Sequence, residues 1–215
     1  MVKTHLGRVN TACEFASGPG FIGFSLLAAG LCDELRLVDS NPEAIEACQK
    51  TISENGLETR VKTYVSDVFG NVPASEKWDL IVSNPPHFDG ILTRSRLDRL
   101  LIDPGLRIHR KFYASAAEHL APGGSTLLVE NNRGPDLAVW REMIRENKLR
   151  FVASIPCSPG VSRAVRYHAW SLVHLLRIDP VSFFTYYSRQ RCGLNKMRVL
   201  NIFRYPFYFV WCKKG

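Results

Sequence analysis

The sequence lacks any run of about eighteen apolar residues, which is the length that a membrane-spanning helix needs. Its first residues also lack the apolar segment of a secretory signal peptide. Six cysteines are present, but no two form a Cys-x-x-Cys pair and none stands beside histidine at the spacing of a metal site. These absences predict a cytoplasmic protein with reduced thiols and without a bound metal.

Acidic residues are scarce in the second half of the chain. Residues 1–90 carry 7 Lys or Arg against 12 Asp or Glu, whereas residues 91–215 carry 21 against 8. The net charge of +8 therefore arises from the second half, which predicts a surface that faces an anionic partner. The alternative is a basic surface that is merely solvated.

Acids are absent altogether from residues 180–215, which contain 10 aromatic and 7 basic residues. This change of composition divides the sequence into a main domain at 1–178 and an aromatic, basic C-terminal extension at 179–215. The extension can stack on nucleic-acid bases, cover a sheet edge, lie on a membrane surface or join two copies into a homodimer. Arg204 and Pro206 interrupt its apolar run, so it does not predict a spanning helix.

Apolar runs and turn signals alternate along the main domain. Strands are predicted at 9–15, 35–38, 61–66, 78–83, 125–130, 151–155 and 169–176, and helices at 21–29, from 41 to 55, 105–120 and 136–147. Strands that alternate with helices indicate an α/β fold with a parallel sheet covered on both faces.

A glycine-rich turn follows the first strand. Residues 18–23 read Gly-Pro-Gly-Phe-Ile-Gly and fit G-x-G-x-x-G between a strand and a helix, which is the context of a nucleotide-cofactor site. Asp39 stands 19 residues after Gly20, where a carboxylate can accept both hydroxyls of a ribose. An ordinary glycine turn and a helix N-cap are the alternatives. This arrangement suits NAD and S-adenosylmethionine alike.

Two further features separate these cofactors. Glu14 stands four residues before Gly18, where its carboxylate would repel a pyrophosphate but attract the ammonium group of a methionine moiety. The fourth strand runs into Asn84-Pro85-Pro86-His87, for which a dehydrogenase has no use. The sequence therefore disfavours a nicotinamide-dependent oxidoreductase.

These motifs, in this order, resemble those of class I S-adenosylmethionine methyltransferases over residues 9–178. The segment that begins at Glu14 is similar to their first motif, Asp39 to their ribose-binding acid, and Asp67 to the residue that contacts the adenine amine. Residues 84–86 are similar to the (Asp/Asn)-Pro-Pro-aromatic motif of members that methylate planar nitrogens. Their acceptors are amino groups of adenine or guanine, or the side-chain amide of glutamine in proteins.

The resemblance implies a Rossmann-like, doubly wound, mostly parallel sheet of seven strands with the last strand antiparallel. It implies S-adenosyl-L-methionine as the cofactor and methylation of a planar nitrogen as the reaction. The implied cofactor-binding residues are Glu14, Ser17, Gly18, Gly20, Gly23, Asp39, Ser40, Asp67, Val68 and Asn84, and the implied catalytic residues are Asn84, Pro85, Pro86 and His87.

The chemistry of a planar nitrogen explains the Asn-Pro-Pro motif. Its lone pair is delocalised, so the nitrogen is a poor nucleophile that must be held in place. The Asn84 side-chain oxygen and the Pro85 carbonyl can accept its two N–H groups. His87 departs from the family, which has Tyr, Phe or Trp there to stack on the acceptor. Imidazole can stack as well, and the alternative is a histidine on the surface of a loop.

Basic residues follow the motif on the side where an acceptor would enter. They are Arg94, Arg96, Arg99, Arg107, Arg110 and Lys111. Such a basic rim suits nucleic acid, a phosphorylated metabolite or a protein presented on RNA. The alternative is solvated helix faces paired with Asp98 and Asp103. About eight residues precede the first strand, so we expect no N-terminal recognition domain. A small-molecule methyltransferase and a binding protein without turnover therefore remain open.

Overall fold

A computed structural model describes residues 2–90, 100–132, 134–157 and 207–215. In these ranges seven strands form one sheet. The strands are β1 (Val9–Phe15), β2 (Cys32–Asp39), β3 (Val61–Val65), β4 (Trp78–Ser83), β5 (Leu120–Asn131), β6 (Leu149–Pro156) and β7 (Phe207–Lys214). The helices are α1 (Val2–His5), α2 (Phe21–Ala28), α3 (Pro42–Glu54), α4 (Arg107–His119) and α5 (Leu137–Glu146), and a 3-10 turn at Pro104–Leu106 precedes α4.

The strands follow the order β3-β2-β1-β4-β5-β7-β6. β1 to β5 run parallel to one another, and β7 is antiparallel to both β5 and β6. The predicted α/β fold, a Rossmann-like and mostly parallel sheet with an antiparallel last strand, is confirmed. From β1 the chain adds β2 and β3 on one side, and then returns to add β4 and β5 on the other side, so the strand order reverses between β1 and β4. Ligands of such sheets bind above the carboxyl ends of the strands at this reversal.

β7 corrects the sequence interpretation. The last strand was expected at 169–176, which lies outside the described residues together with the expected boundary at 178. Phe207–Lys214, expected to belong to an appended extension, pairs with β5 and β6 along its whole length. Its side chains alternate between both faces of the sheet, with Val210 and Cys212 in one layer and Phe209 and Trp211 against the other. The description as an extension is therefore wrong for these eight residues.

Apolar side chains fill a layer on each face of the sheet. On one face, Phe112 and Trp140 from α4 and α5 are fully buried, and the Phe112 ring stacks on that of Phe15 with centroids 5.1 Å apart. On the other face, Leu26 of α2 packs with Leu35 of β2. Truncating either large aromatic to alanine is expected to cost about 3–5 kcal/mol. These layers fix the strand ends that carry the site.

A partly buried ion pair lies away from those strand ends. Arg36 Nε lies 3.0 Å from Glu76 Oε2, and the Tyr64 hydroxyl donates to Glu76 Oε1 at 2.7 Å. Although burial acts to raise it, the Tyr64 hydroxyl and the Arg36 guanidinium hold the pKa of Glu76 below its usual value. The cluster ties β2, β3 and the approach to β4 together.

The described residues contain no helix that is long and apolar enough to cross a membrane. In the same ranges, no three His, Cys, Asp or Glu side chains are arranged to hold a metal ion.

Candidate active site

The glycine turn lies between the end of β1 and the start of α2. Ala16, Gly18 and Gly20 all have positive φ, at 49°, 52° and 80°. A Cβ at Gly20 would come within 2.8 Å of the Phe24 ring, so both its conformation and its surroundings exclude a larger residue. The Ser17 hydroxyl in this turn donates to the Gly18 carbonyl at 3.2 Å. The tight turn leaves backbone groups at the carboxyl edge of the sheet, as a cofactor cradle requires.

Glu14 lies beneath this turn and is buried. Its Oε2 accepts the Gly23 N–H at 2.7 Å, and its Oε1 accepts the Ile22 N–H at 3.3 Å. Burial raises the pKa of Glu14 to about 7, although the two N–H groups act against that shift. A Cβ at Gly23 would lie 2.9 Å from Glu14 Oε2. Glu14 therefore anchors the first turn of α2, and its contact with a methionine ammonium stays a prediction.

Asp39 ends β2 and reaches across to the glycine turn. Its Oδ2 accepts the Gly18 N–H at 2.7 Å, and its Oδ1 accepts the Asn41 N–H at 2.8 Å. The N-cap of α3 is Asn41 and not Asp39, because the Asn41 side chain accepts the Glu43 N–H at 3.1 Å. Each Asp39 oxygen keeps a second lone pair for a ribose hydroxyl. Ser40, the next residue, is exposed.

The loop after β3 holds Asp67, expected at the adenine amine, and Val68, also expected to bind the cofactor. Asp67 is half exposed and forms an ion pair with Lys111 of α4, whose Nζ lies 2.5 Å from Oδ2. Val68 is buried and has φ 56°, which is uncommon for a β-branched residue and marks a backbone held in place by its surroundings. Lys111 was expected on the basic rim, and the structure places it against Asp67 instead.

Asn84 follows β4 directly and is exposed. The Ser83 hydroxyl donates to the Phe15 carbonyl at 2.6 Å, which ties the end of β4 to the start of the glycine turn. Pro85 is buried and Pro86 is half-buried. The motif therefore stands beside the expected cofactor loop on the adjacent strand, with its polar side chain in solvent and its prolines packed.

Unlike Asn84, His87 is buried. The ring is only 5% exposed and lies against the rings of Phe88 and Phe207, with centroids 6.1 Å and 5.7 Å away. A Cβ at Gly134 would lie 2.6 Å from the His87 carbonyl, so the loop after β5 also packs closely here. The alternative of a histidine on the loop surface is wrong, and stacking of this ring on an acceptor stays a prediction.

Sequence reasoning missed the polar residues behind this loop. Asp103, His109 and Glu130 are all at most 1% exposed. Asp103 was considered as a surface partner for arginines, and the structure buries it against His109 instead. One signal was present in the sequence, because Glu130 ends a strongly apolar strand and acids are almost never fully buried without a partner.

Part of the basic rim can be placed. Arg94, Arg96 and Arg99 lie outside the described residues. Arg107 and Arg110 are exposed on the first turn of α4, and Arg110 Nε donates to the Gly105 carbonyl at 3.3 Å.

Comparison with known proteins identifies the family. The model of the family described as Methyltransferase small domain matches residues 2–150. The chain belongs to this family. This methyltransferase small domain contains the glycine turn, the carboxylates and the Asn-Pro-Pro loop described above.

Its relatives are longer proteins. The chain is 36% identical over 118 residues to the ribosomal RNA small subunit methyltransferase C of Pasteurella multocida, which covers 55% of this chain and 31% of that protein. It is 32% identical over 134 residues to the Shewanella oneidensis protein of the same name, covering 62% of this chain and 34% of that one. The chain spans about a third of the length of these relatives.

Solved structures share the fold. A methyltransferase from Pyrococcus furiosus aligns with 100% of this chain and 79% of its own, with a TM-score of 0.59 at 16% identity. The T. thermophilus 16S rRNA N2 methyltransferase, in complex with AdoMet and guanosine, aligns with 71% of this chain and 38% of its own, with a TM-score of 0.52 at 22% identity. The expected class I methyltransferase fold is thereby confirmed.

S-adenosylmethionine is the cofactor of this methyltransferase small domain. The residues present fit it, since the turn at Gly20 admits no side chain and Asp39 retains lone pairs for a ribose. Glu14, Asp39 and Asp67 also place three carboxyl groups along one edge, where they favour a ligand that carries positive charge.

Proposed function

We propose that this chain transfers a methyl group from S-adenosylmethionine to an exocyclic amine of a nucleobase in ribosomal RNA. The observation that carries the proposal is the exposed Asn84 at the carboxyl end of β4, beside the glycine turn. The names of the relatives support RNA as the acceptor, and the exposed Arg107 and Arg110 supply positive charge on the neighbouring helix.

The loop after β4 suits an amine with two N–H groups. The Asn84 side-chain oxygen and the Pro85 carbonyl both accept hydrogen bonds, and neither can donate one from those atoms. Pro85 is buried, its ring fixes φ, and Pro86 after it restricts ψ to extended values. The direction of the Pro85 carbonyl is therefore set before an acceptor arrives. Two acceptors aimed at one nitrogen orient its lone pair and favour the positive charge that it gains. S-adenosylmethionine supplies an already activated methyl group when bound.

Glutamine amide presents the same two N–H groups to this loop and is the second candidate acceptor. A small-molecule amine is the third. The ribosomal RNA relatives favour the nucleobase over both, because they match this chain at 32–36% identity over 118 and 134 residues.

A labelled-methyl assay separates these acceptors. The chain is incubated with methyl-labelled S-adenosylmethionine and, in parallel, with 16S rRNA, small ribosomal subunits, free nucleosides and a glutamine-containing peptide. We expect label in RNA, recovered as a methylated exocyclic amine after digestion. Label confined to the peptide or to free nucleosides would overturn the proposal.

Asn84→Ala tests the motif in the same assay. We expect kcat to fall on the order of a hundredfold, because one preorganised polar group is lost, while cofactor affinity changes by less than about twofold. Asn132→Ala is the matched control, since Asn132 is also an exposed asparagine beyond a central strand. Near-normal turnover in Asn84→Ala would remove this residue from catalysis.

The salt dependence of RNA binding tests the rim. If single-stranded RNA is held through phosphates, log affinity should fall with log salt by about 0.7 per phosphate contact. Replacing Arg107 and Arg110 by Glu should flatten that slope. Replacing the exposed Arg145 of α5 by Glu should leave it unchanged. Equal slopes in all three proteins would exclude this helix from RNA binding.

A further inference from the structure

Four ionisable side chains form a buried line behind the Asn84 loop. Asp103 Oδ2 lies 2.8 Å from His109 Nδ1, and His109 Nε2 lies 3.1 Å from Glu130 Oε1. The other oxygen, Glu130 Oε2, lies 3.6 Å from His87 Nδ1. The line therefore begins in front of α4, passes through the end of β5 and stops at the residue that follows Pro85 and Pro86.

Asp103 fixes one end of this line. Its two oxygens accept the Ile108 and His109 N–H groups at 2.9 Å and 3.1 Å, which caps the first turn of α4. Its own N–H donates to the Phe88 carbonyl at 2.8 Å, and the Phe88 N–H donates to the Leu101 carbonyl at 2.9 Å. The segment that starts α4 is thus bonded by backbone to the residue next to His87.

Strand register places Glu130 beside the catalytic loop. Ser83 pairs with Leu128 in the parallel ladder of β4 and β5, so Glu130 is two residues beyond that pair, level with Pro85. Its side chain turns into the core and not toward the cofactor edge, since it is 0% exposed. Glu130 therefore reaches the loop from behind, through His87.

Burial of this line is costly, and its charges are retained by mutual attraction. Burial lowers the pKa of His109, but Glu130 and Asp103 outweigh it and raise that pKa to about 9. His109 in turn holds the pKa of Glu130 below its usual value against the effect of burial. Packed apolar residues of similar volume stabilise a core at least as well as buried ions do. Stability alone therefore does not explain four such groups in one line.

The last contact of the line, between Glu130 and His87, is too long for a hydrogen bond. His87 Nδ1 and Glu130 Oε2 are both buried, face each other, and have no hydrogen-bond partner among the described residues. The tautomer with a proton on Nδ1 donates toward the carboxylate, and an approach of roughly 0.8 Å would give a charge-assisted hydrogen bond of ordinary length. Glu130 is thus the polar group placed to hold the His87 ring, and with it the loop.

We propose that Glu130, oriented by His109 and Asp103, is a positioning residue that acts through His87 to fix the loop presenting Asn84 and Pro85 to the acceptor. This inference rests on the proposed methyl transfer. A displacement of the two acceptor groups by half an ångström misaligns the attacking nitrogen, so loss of the carboxylate should lower turnover and leave cofactor binding intact.

The test compares Glu130→Gln with Glu76→Gln. Both variants replace a carboxylate that contacts a basic side chain, but Glu76 is only partly buried and lies in the Arg36 cluster, away from the loop. Glu130→Gln should reduce kcat tenfold or more, with cofactor affinity within twofold of the parent. Glu76→Gln should lower the melting temperature and keep kcat within twofold. Equal kcat losses in the two variants would overturn the proposal.

His87→Phe supplies a second variant that retains a packed ring and removes the polar contact. If Glu130 acts through His87, a double variant that combines Glu130→Gln with His87→Phe should lose no more kcat than the worse of the two single variants. If the fold loss in kcat of the double variant equals the product of the two single losses, the proposal is overturned, because the two residues then act independently.

Amide hydrogen exchange separates failure of this inference from failure of the proposed function. Without any acceptor, Glu130→Gln should speed exchange at the Phe88 and Asp103 N–H groups, which bond across the loop. Glu76→Gln should leave both protected. Unchanged exchange in Glu130→Gln overturns the positioning role even when RNA methylation is found, and faster exchange supports it even when RNA proves to be the wrong acceptor.

Discussion

Raising the pH from 7 to 9 should deprotonate about half of the His109 side chains and lower the free energy of unfolding by about 2 kcal/mol. The pKa of this ring rises from 6.5 to about 9, despite its burial, because Glu130 and Asp103 surround it. Because the folded pKa exceeds the ordinary one, the stabilisation is complete below pH 6.5 and falls by about 1.4 kcal/mol per pH unit up to 9. The loss over the whole titration is about 3 kcal/mol, of which about 2 kcal/mol falls between pH 7 and 9. The whole loss is a large share of the 5–15 kcal/mol of a typical domain.

Other groups titrate mainly outside that window. Burial raises the pKa of Glu14 to about 7, so most of the stability that its proton contributes is lost by pH 7 and the remainder by about pH 8. Burial holds the pKa of Cys13 and Tyr113 well above 9.0 and 10.0, so their contributions fall only at higher pH. Most of the decline in stability between pH 7 and 9 is therefore assigned to His109.

Urea unfolding at half-unit pH steps measures this slope. In His109→Gln the decline between pH 7 and 9 should disappear, and stability at pH 7 should drop by about 3–5 kcal/mol because two buried carboxylates lose their cation. His119→Gln is the matched control, since His119 is a buried histidine whose pKa is lowered, mainly by burial. It should keep the parental slope. Parallel curves for the parent and His109→Gln would refute the charge assignment of the buried line.

Three further predictions concern residues at the expected cofactor site. Gly23→Ala places a Cβ 2.9 Å from Glu14 Oε2, so urea unfolding should show a loss of about 1–3 kcal/mol together with weaker cofactor binding. Asp39→Ala should weaken S-adenosylhomocysteine by about 1–3 kcal/mol in calorimetry, and unchanged affinity would exclude Asp39 from the ribose site. Lys111→Met frees Asp67 from its exposed partner, so cofactor affinity should rise by no more than about fivefold. Weaker binding in that variant would mean that Lys111 itself contacts the cofactor.

Features set by neighbouring residues could be predicted from the sequence. The bounds of β1 and β4 agree with the structure, because each strand is an apolar run that stops at a turn signal. The start of α3 agrees as well, since Asn41 caps it and Pro42 occupies its first turn. Glycine spacing and the residues after each strand then placed the site at the carboxyl edge of the sheet.

Features that depend on distant partners could not be predicted. The sequence predicts the last strand at 169–176, and only pairing with β5 and β6 distinguishes residues 207–214 from an appended segment. A basic residue on a helix face looks the same whether it meets RNA or a carboxylate, so Lys111 was assigned to the rim. Asp103 and Glu130 carry charges that normally lie at the surface, and only the fold brings His109 between them.

The position of β7 between β5 and β6 has a consequence for synthesis of the chain. β6 has β7 as its neighbour in the sheet, yet residues 157–206 are made between the two strands. At 5–20 residues per second, β7 emerges from the ribosome roughly 3–12 s after β6. During that interval β5 and β6 present unpaired backbone edges, which are templates for pairing with other chains. We therefore expect yield in the cell to depend on chaperones that shield these edges, more than on the final stability of the sheet.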